Sequence, residues 1–236
     1  GPALRALEPG LGTAAIGGFE LAAEQQVEPR ALLGALRAAA GRAGVRVVTG
    51  RAVALDGGVR LAGGARLVAG RVILAAGHAA GCLASRVPVR PVKGQILRLR
   101  AAAGAPVPLR RMVRTSAVYL APRDGEVVVG ATSEERADTT VTAEAVAGLL
   151  EEALHAVPEL AGMELAEAGC GLRPATPDGL PAIGADPDEP SLVWAVGGYR
   201  HGILLAPLAA RAAVAAAAGR ALPSWAGALS PARFGP

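Results

Sequence analysis

The 236-residue chain carries 24 basic and 20 acidic side chains, for a formal net charge of +4, and is 52% hydrophobic but only 3% aromatic. That length can bury a substantial core, as one large domain or two interleaved ones. The basic residues are scattered singly and few aromatics are present to stack bases, so a pI near 9.8 does not mark a nucleic-acid partner. Pro207 and Arg211 interrupt the alanine-rich tail and no signal peptide is recognisable, so the expectation is a cytoplasmic protein without a membrane partner. Lys93 is the only lysine and asparagine is absent, which we read as a GC-rich coding bias.

Gly1 and Pro2 have the form of a cleavage scar or are native, and carry no expectation of structure. Leu7-Glu8-Pro9-Gly10 reads as a turn into an extended segment over 14–23, and Glu28-Pro29 starts a helix with Leu32, Leu33, Leu36 and Ala40 on one face, ended by Gly44. Residues 45–49, 52–55, 59–61 and 66–68 are predicted as short strands of a glycine-punctuated meander. The run 72–75 is predicted as a fully buried strand entering Ala76-Gly77-His78. Residues 91–95, Pro-Val-Lys-Gly-Gln, lead into a strand through Leu99, and 118–122 with 126–131 form a hairpin across Arg123-Asp124-Gly125.

Thr142 is a cap for a helix to Ala156 with Val146, Leu149, Leu150, Ala153, Leu154 and Val157 on its apolar face, stopped by Pro158. The next strand should carry Gly169 to Leu172, and the residues from Pro223 onward should be loose. This order does not repeat a βαβ unit; it predicts an α+β fold with an antiparallel sheet. Cys82 and Cys170 lack metal-ligand spacing and are expected as buried thiols. The three histidines are scattered, which argues against a metal centre, and there is no Gly-x-Ser-x-Gly for serine hydrolysis.

The chemistry is expected between Gly169 and Ala218. There a short apolar β run, 193–196, meets Gly-Gly-Tyr-Arg-His-Gly, 197–202, and then a helix from about Ile203 whose free N–H groups and positive dipole end make an anion site. The ordered motifs Gly-Leu-Arg-Pro-Ala-Thr-Pro-Asp-Gly-Leu-Pro-Ala-Ile-Gly (171–184) and Gly-Tyr-Arg-His-Gly-Ile-Leu-Leu-Ala-Pro (198–207) resemble the C-terminal segment of the D-amino-acid oxidase and glycine oxidase family of flavoenzymes, in particular glycine oxidases of thiamine biosynthesis.

The resemblance implies oxidative deamination of glycine or a related small amine by hydride transfer to FAD, giving glyoxylate, ammonia and hydrogen peroxide, with a small amino acid as substrate and oxygen as acceptor in an intact homo-oligomer. It implies a substrate-side antiparallel sheet interleaved with part of an FAD-binding domain: 1–27 and 87–170 on the substrate side, 28–86 and 171–236 on the cofactor side. It casts Arg173 as the substrate-carboxylate clamp, since a guanidinium grips a carboxylate with two parallel hydrogen bonds and Pro174 biases its backbone to the extended form. Tyr119 is cast as a second carboxylate contact sharing one cleft with Arg173, and Arg200 as a residue near the amine and flavin. Ala76, Gly77, Gly171, Gly198, Tyr199, Arg200, His201, Gly202 and Ile203 are cast against the cofactor. His78 and His155 are expected to be structural. Ala117 and Ser133 replace bulkier residues of the resembling family's pocket and leave the preferred amine open between glycine, sarcosine and a D-amino acid.

The family's strand–Gly-x-Gly-x-x-Gly–helix unit for the FAD pyrophosphate has no counterpart here. Gly10-Leu11-Gly12 is the nearest imitation, but it follows Glu8-Pro9 rather than a strand. The expectation is either a piece of the family's chain, through truncation or proteolysis, or a chain whose missing part is a separate chain; by itself it is expected not to hold FAD stoichiometrically, and one alternative is a catalytically silent fragment.

Overall fold

The computed structural model describes residues 1–235 and divides into two compact units. The first comprises Gly1–Val47, Lys93–Glu134 and Asp138–Gly171; the second comprises Val48–Val92, Glu135–Ala137 and the chain from Leu172 onward. The fold mixes helices with antiparallel sheets, as the order of elements predicts, and adds one parallel strand pair that this order does not predict.

In the first unit, α1 (Pro2–Leu7) includes a residue for which the sequence carries no expectation of structure; Pro2 fits because its missing N–H falls where a helix has no acceptor to give it. Residues 14–23 then form no regular element. Glu8 is buried, and its carboxylate accepts from the backbone N–H groups of Arg110 and Arg111, a long-range tie that no local pattern announces. Helix α2 (Pro29–Arg42) begins at Glu28, whose carboxylate caps the Ala31 N–H, and Gly44 follows it with φ +76°.

Arg98 draws Glu28, Glu126 and Glu167 around one guanidinium. The Ala31 N–H and then Arg98 hold the Glu28 carboxyl below the ordinary range, while Arg30 and then Arg98 do the same to Glu167. These ties explain why 28–47 clusters with the first unit. Leu33 and Leu36 nevertheless remain exposed.

The strands of the meander are β1 (Ala52–Leu55), β2 (Gly58–Leu61) and β3 (Arg66–Val68), an antiparallel sheet in the order β1-β2-β3. The run 45–49 is not a strand: despite its β-branched residues it pairs with no ladder among the described residues, and Val45, Val47 and Val48 are exposed. Strand β4 (Val72–Leu74) buries only Leu74, with Ile73 42% exposed, so the expectation of a fully buried strand is corrected. A 3-10 helix, Gly77–Cys82, follows it.

Strands β5 (Arg90–Arg100), β6 (Val113–Arg114), β7 (Tyr119–Pro122), β8 (Glu126–Gly130) and β9 (Glu164–Ala175) form a sheet in the order β6-β7-β8-β5-β9. The β7–β8 hairpin turns at Gly125, φ +67°. Helix α3 (Ala143–Ala156) is capped by the Thr142 hydroxyl, and its Leu149 and Ala153 pack with Leu97, Leu120, Val127 and Val129 in the first unit's core. Pro158 opens a 3-10 turn, Pro158–Gly162.

In the second unit, β10 (Ala182–Ala185), β11 (Leu192–Val196) and β4 form a sheet in that order, with β11 antiparallel to β10 and parallel to β4. Helix α4 (Gly202–Ala217) packs Ala212, Ala213 and Ala216 with Ile183 and Val193. It runs through Pro207, which interrupts the apolar sequence but does not end the helix; the cost is the hydrogen bond that residue 207 cannot donate to Ile203. The tail is ordered as two 3-10 helices, Ser224–Leu229 and Pro231–Phe234, contrary to expectation. Arg233 binds Asp178, and Arg86 bonds to the Gly235 carbonyl, contacts of long sequence separation that fasten it. Both cysteines depart from the buried-thiol expectation: Cys82 is exposed at the end of its 3-10 helix and Cys170, on β9, is partly exposed.

Candidate functional site

In the second unit, β4 and β11 are neighbouring parallel strands, with Val72 beside Leu192 and Leu74 beside Trp194, so their carboxyl ends open on the same side of the sheet. Ala76-Gly77 continues from one and Gly197 to Gly202 from the other. Open α/β sheets bind ligands outside such carboxyl ends. The fold therefore brings the 76–77 segment and the 197–203 segment to one edge without either having to reach for the other.

The turn has little room for any other sequence. At Gly197, φ +80°, a Cβ would lie 2.6 Å from Thr176 Cγ2, and at Gly198 it would lie 2.7 Å from the Gly202 Cα. Tyr199 takes φ +40°, a left-handed conformation that a bulky residue adopts at a cost of about 1–3 kcal/mol. Its N–H donates to the Pro174 carbonyl at 3.1 Å, which ties the turn to the residue after Arg173. The Arg200 guanidinium lies over the Tyr199 ring, 5.5 Å from its centroid.

The His201 side chain does not cap α4, so the first-turn N–H groups of Gly202, Ile203 and Leu204 face outward from the helix. Gly202 itself is sterically free, with nothing within 4 Å of a Cβ there. The space restriction that the motif suggests for the whole turn thus belongs to Gly197 and Gly198.

Arg173, on β9, is half-buried, as are Tyr199, Ala76 and Gly77; Arg200, His201, Ile203 and Gly171 are exposed. His78 and His155 sit outside this group, His78 in the 3-10 turn after β4 and His155 at the end of α3. Tyr119 belongs to the first unit, where it opens β7 opposite Gly130 of β8. Among the described residues, no group of three His, Cys, Asp or Glu side chains is disposed to hold a metal ion.

Two parts of the motif that sequence reasoning left without a role are structural fasteners. Asp178 accepts from the Leu180 N–H and pairs with Arg233 at 2.7 Å. The Arg233 guanidinium holds its carboxyl at about 2, against an ordinary 3.8. A depressed folded-state pKa contributes stability above the ordinary value, lost as pH falls through the depressed one. The urea midpoint of Asp178→Asn should therefore lie below the parent's at pH 7, and the gap should close between about pH 4 and 2. A gap that persists at pH 2 would show that the carboxylate charge is not its source.

Thr176 is the other fastener. Its hydroxyl donates to the Leu180 carbonyl at 2.7 Å, while its methyl meets Gly197, locking the 171–184 segment to the turn.

The order of motifs on this frame is matched over residues 1–216 by the family model described as FAD dependent oxidoreductase. The chain belongs to that family. The bifunctional protein ThiO/ThiG of Synechocystis sp. is 39% identical to it over 217 residues, covering 88% of this chain and 33% of that protein. A glycine oxidase of Geobacillus kaustophilus is 39% identical over 145 residues, 58% of this chain and 37% of that one. The crystal structure of glycine oxidase from Geobacillus kaustophilus superposes with a TM-score of 0.89 at 31% identity, over 98% of this chain and 65% of that one. The chain thus spans about a third of the curated relatives named here. Among the described residues no helix is long and apolar enough to cross a membrane.

Proposed function

We propose that the full-length protein containing this chain is an amine oxidase of the glycine oxidase type, acting in thiamine biosynthesis, cytoplasmic and homo-oligomeric. The observation that carries the reading is the placement of 76–77, 173–174 and 197–203 together at the carboxyl ends of β4 and β11. Outward N–H groups at the start of α4, with open space over Gly202 where a Cβ would stand, suit a flat, electron-rich ligand edge, so the residues present fit a flavin. Ala76, Gly77, Gly171, Gly198, Tyr199, Arg200, His201, Gly202 and Ile203 would hold it, on a frame whose cofactor side is formed by 28–86 and 171–236 and whose substrate side by 1–27 and 87–170. When bound, FAD supplies the hydride acceptor and the route by which electrons reach oxygen.

The chain's own task is to hold the substrate. Arg173 grips the substrate carboxylate with two parallel hydrogen bonds; the Tyr119 hydroxyl, in the first unit, is read from the family resemblance alone as a hydrogen-bond donor to a carboxylate. Arg200 lies toward the amine, where its positive charge favours the neutral form that must be present when hydride leaves. Orientation of the Cα, rather than a general base, is what this arrangement contributes. The runner-up reading within the same chemistry is a sarcosine or D-amino-acid oxidase, because Ala117 and Ser133 are small where the resembling family carries bulkier residues.

A panel of glycine, sarcosine and D-alanine on the full-length protein, with hydrogen peroxide as readout, tests the activity; turnover of none of them would overturn it. The chain by itself is expected to purify without the yellow flavin absorbance, because it has no Gly-x-Gly-x-x-Gly for the pyrophosphate. Stoichiometric FAD in the isolated chain would contradict that.

A further inference from the structure

Tyr119 and Gly130 face each other across the β7–β8 ladder, in a hairpin whose next pair, Leu120 and Val129, is fully buried. A Cβ built on Gly130 would lie 2.3 Å from Tyr119 Cζ, 2.4 Å from its hydroxyl oxygen and 2.7 Å from Cε1. The hydroxyl-bearing edge of the ring therefore occupies the volume in which any side chain at 130 would begin. Gly130 has no positive φ to explain its glycine. The three atoms nearest to a Cβ at 130 all belong to the neighbour's phenol.

We infer that Gly130 is a positioning residue for the Tyr119 hydroxyl: the missing side chain is the berth that fixes where the hydroxyl points, and through it the hydrogen bond to a substrate carboxylate. The inference rests on the proposed role of Tyr119 and adds the element that aims it. The obstacle to a Cβ is the free end of a side chain and not backbone, while the strands on either side are locked by Leu120 and Val129. The cheapest response to Gly130→Ala is consequently a swing of the ring about its own torsions, with the hairpin intact. An aromatic lying over a cross-strand glycine can also serve stability alone. The test must accordingly read ligand binding and not folding.

The experiment uses the full-length flavin-loaded protein, with acetate as a carboxylate probe read by calorimetry and glycine turnover beside it. Gly130→Ala is expected to weaken acetate binding and raise the glycine KM by about two- to tenfold, the range for one hydrogen bond, with kcat changed by less than about twofold. In a Tyr119→Ala background, where the berth is empty, the same substitution should weaken acetate no further.

If Tyr119→Ala weakens acetate but Gly130→Ala does not, the inference falls and the role of Tyr119 stands. If Tyr119→Ala itself leaves acetate affinity unchanged, the underlying reading falls and takes the inference with it. Should Gly130→Ala fail to fold, the double variant decides. Folded protein with the acetate affinity of Tyr119→Ala supports the inference, and a double variant that still fails to fold overturns it.

Discussion

Alanine at position 173 of the full-length protein is expected to raise the KM for glycine by roughly ten- to a hundredfold, the equivalent of about 1.5–3 kcal/mol for a charge-assisted pair. Two features make Arg173 the group with most to lose. It stands on β9 immediately before Pro174, whose carbonyl is held by the Tyr199 N–H, so its backbone is fixed from the turn side. It is also half-buried, where a guanidinium–carboxylate pair is less screened than on an open surface. Arg173→Lys should recover only part of the loss, since an ammonium cannot reproduce the two-pronged contact. Steady-state kinetics with glycine provide the measurement, and an Arg173→Ala enzyme with parental KM would falsify the assignment.

Asp186→Ala should cost about 3–5 kcal/mol of stability in the chain itself, enough to unfold the second unit if its margin is at the low end of the usual 5–15 kcal/mol. The Asp186 side chain is 8% exposed and Arg86 10%. One carboxylate accepts from Arg86 Nε, from the indole N–H of fully buried Trp194 at 2.8 Å, and from the backbone N–H groups of Asp188 and Glu189. Removing it leaves a buried guanidinium dependent on Asp188 and the Gly235 carbonyl, and an indole N–H with its acceptor gone. Asp186→Asn keeps an acceptor for Trp194 and should lose less. Urea unfolding followed by tryptophan emission reads both; a loss under about 1 kcal/mol for the alanine variant would show that water replaces the carboxylate at little cost.

The elements that sequence makes legible are those specified within a few residues. Thr142 caps α3 as read, Gly125 turns the β7–β8 hairpin, and the glycine-separated meander is the β1-β2-β3 sheet, because caps and turns are decided by local backbone chemistry. The misses share a different cause. The stretch 45–49 has strand propensity but no partner ladder among the described residues, and a strand is only as real as its pairing.

The tail from Pro223 looked loose because what holds it, Arg233 on Asp178 and Arg86 on Gly235, is more than fifty residues away in sequence. Lys93, fully buried and 2.8 Å from Asp138, is marked in the sequence only as the sole lysine and as part of the Pro-Val-Lys-Gly-Gln motif, with no hint of its partners; its compact charge sits between Asp138 and Glu134. In the candidate site, motif order marked Arg173 and the turn at 198–202. Which glycines are sterically compelled, Gly197, Gly198 and Gly130, depends on atoms brought up from elsewhere in the fold and could not be read from spacing.

The left-handed backbone of Tyr199 bears on how this lineage has been free to change. The chain holds 32 glycines and two tyrosines, a composition tilted toward small residues. Glycine would occupy φ +40° without steric cost, so drift and selection for stability both push position 199 toward it. The tyrosine here, with Arg200 laid over its ring, holds the strained backbone instead, and selection on the ring is the expected reason. Its relatives should show the same imprint: fast exchange among alanine, glycine and arginine over the surface, and near-stasis across three consecutive residues, 197 to 199.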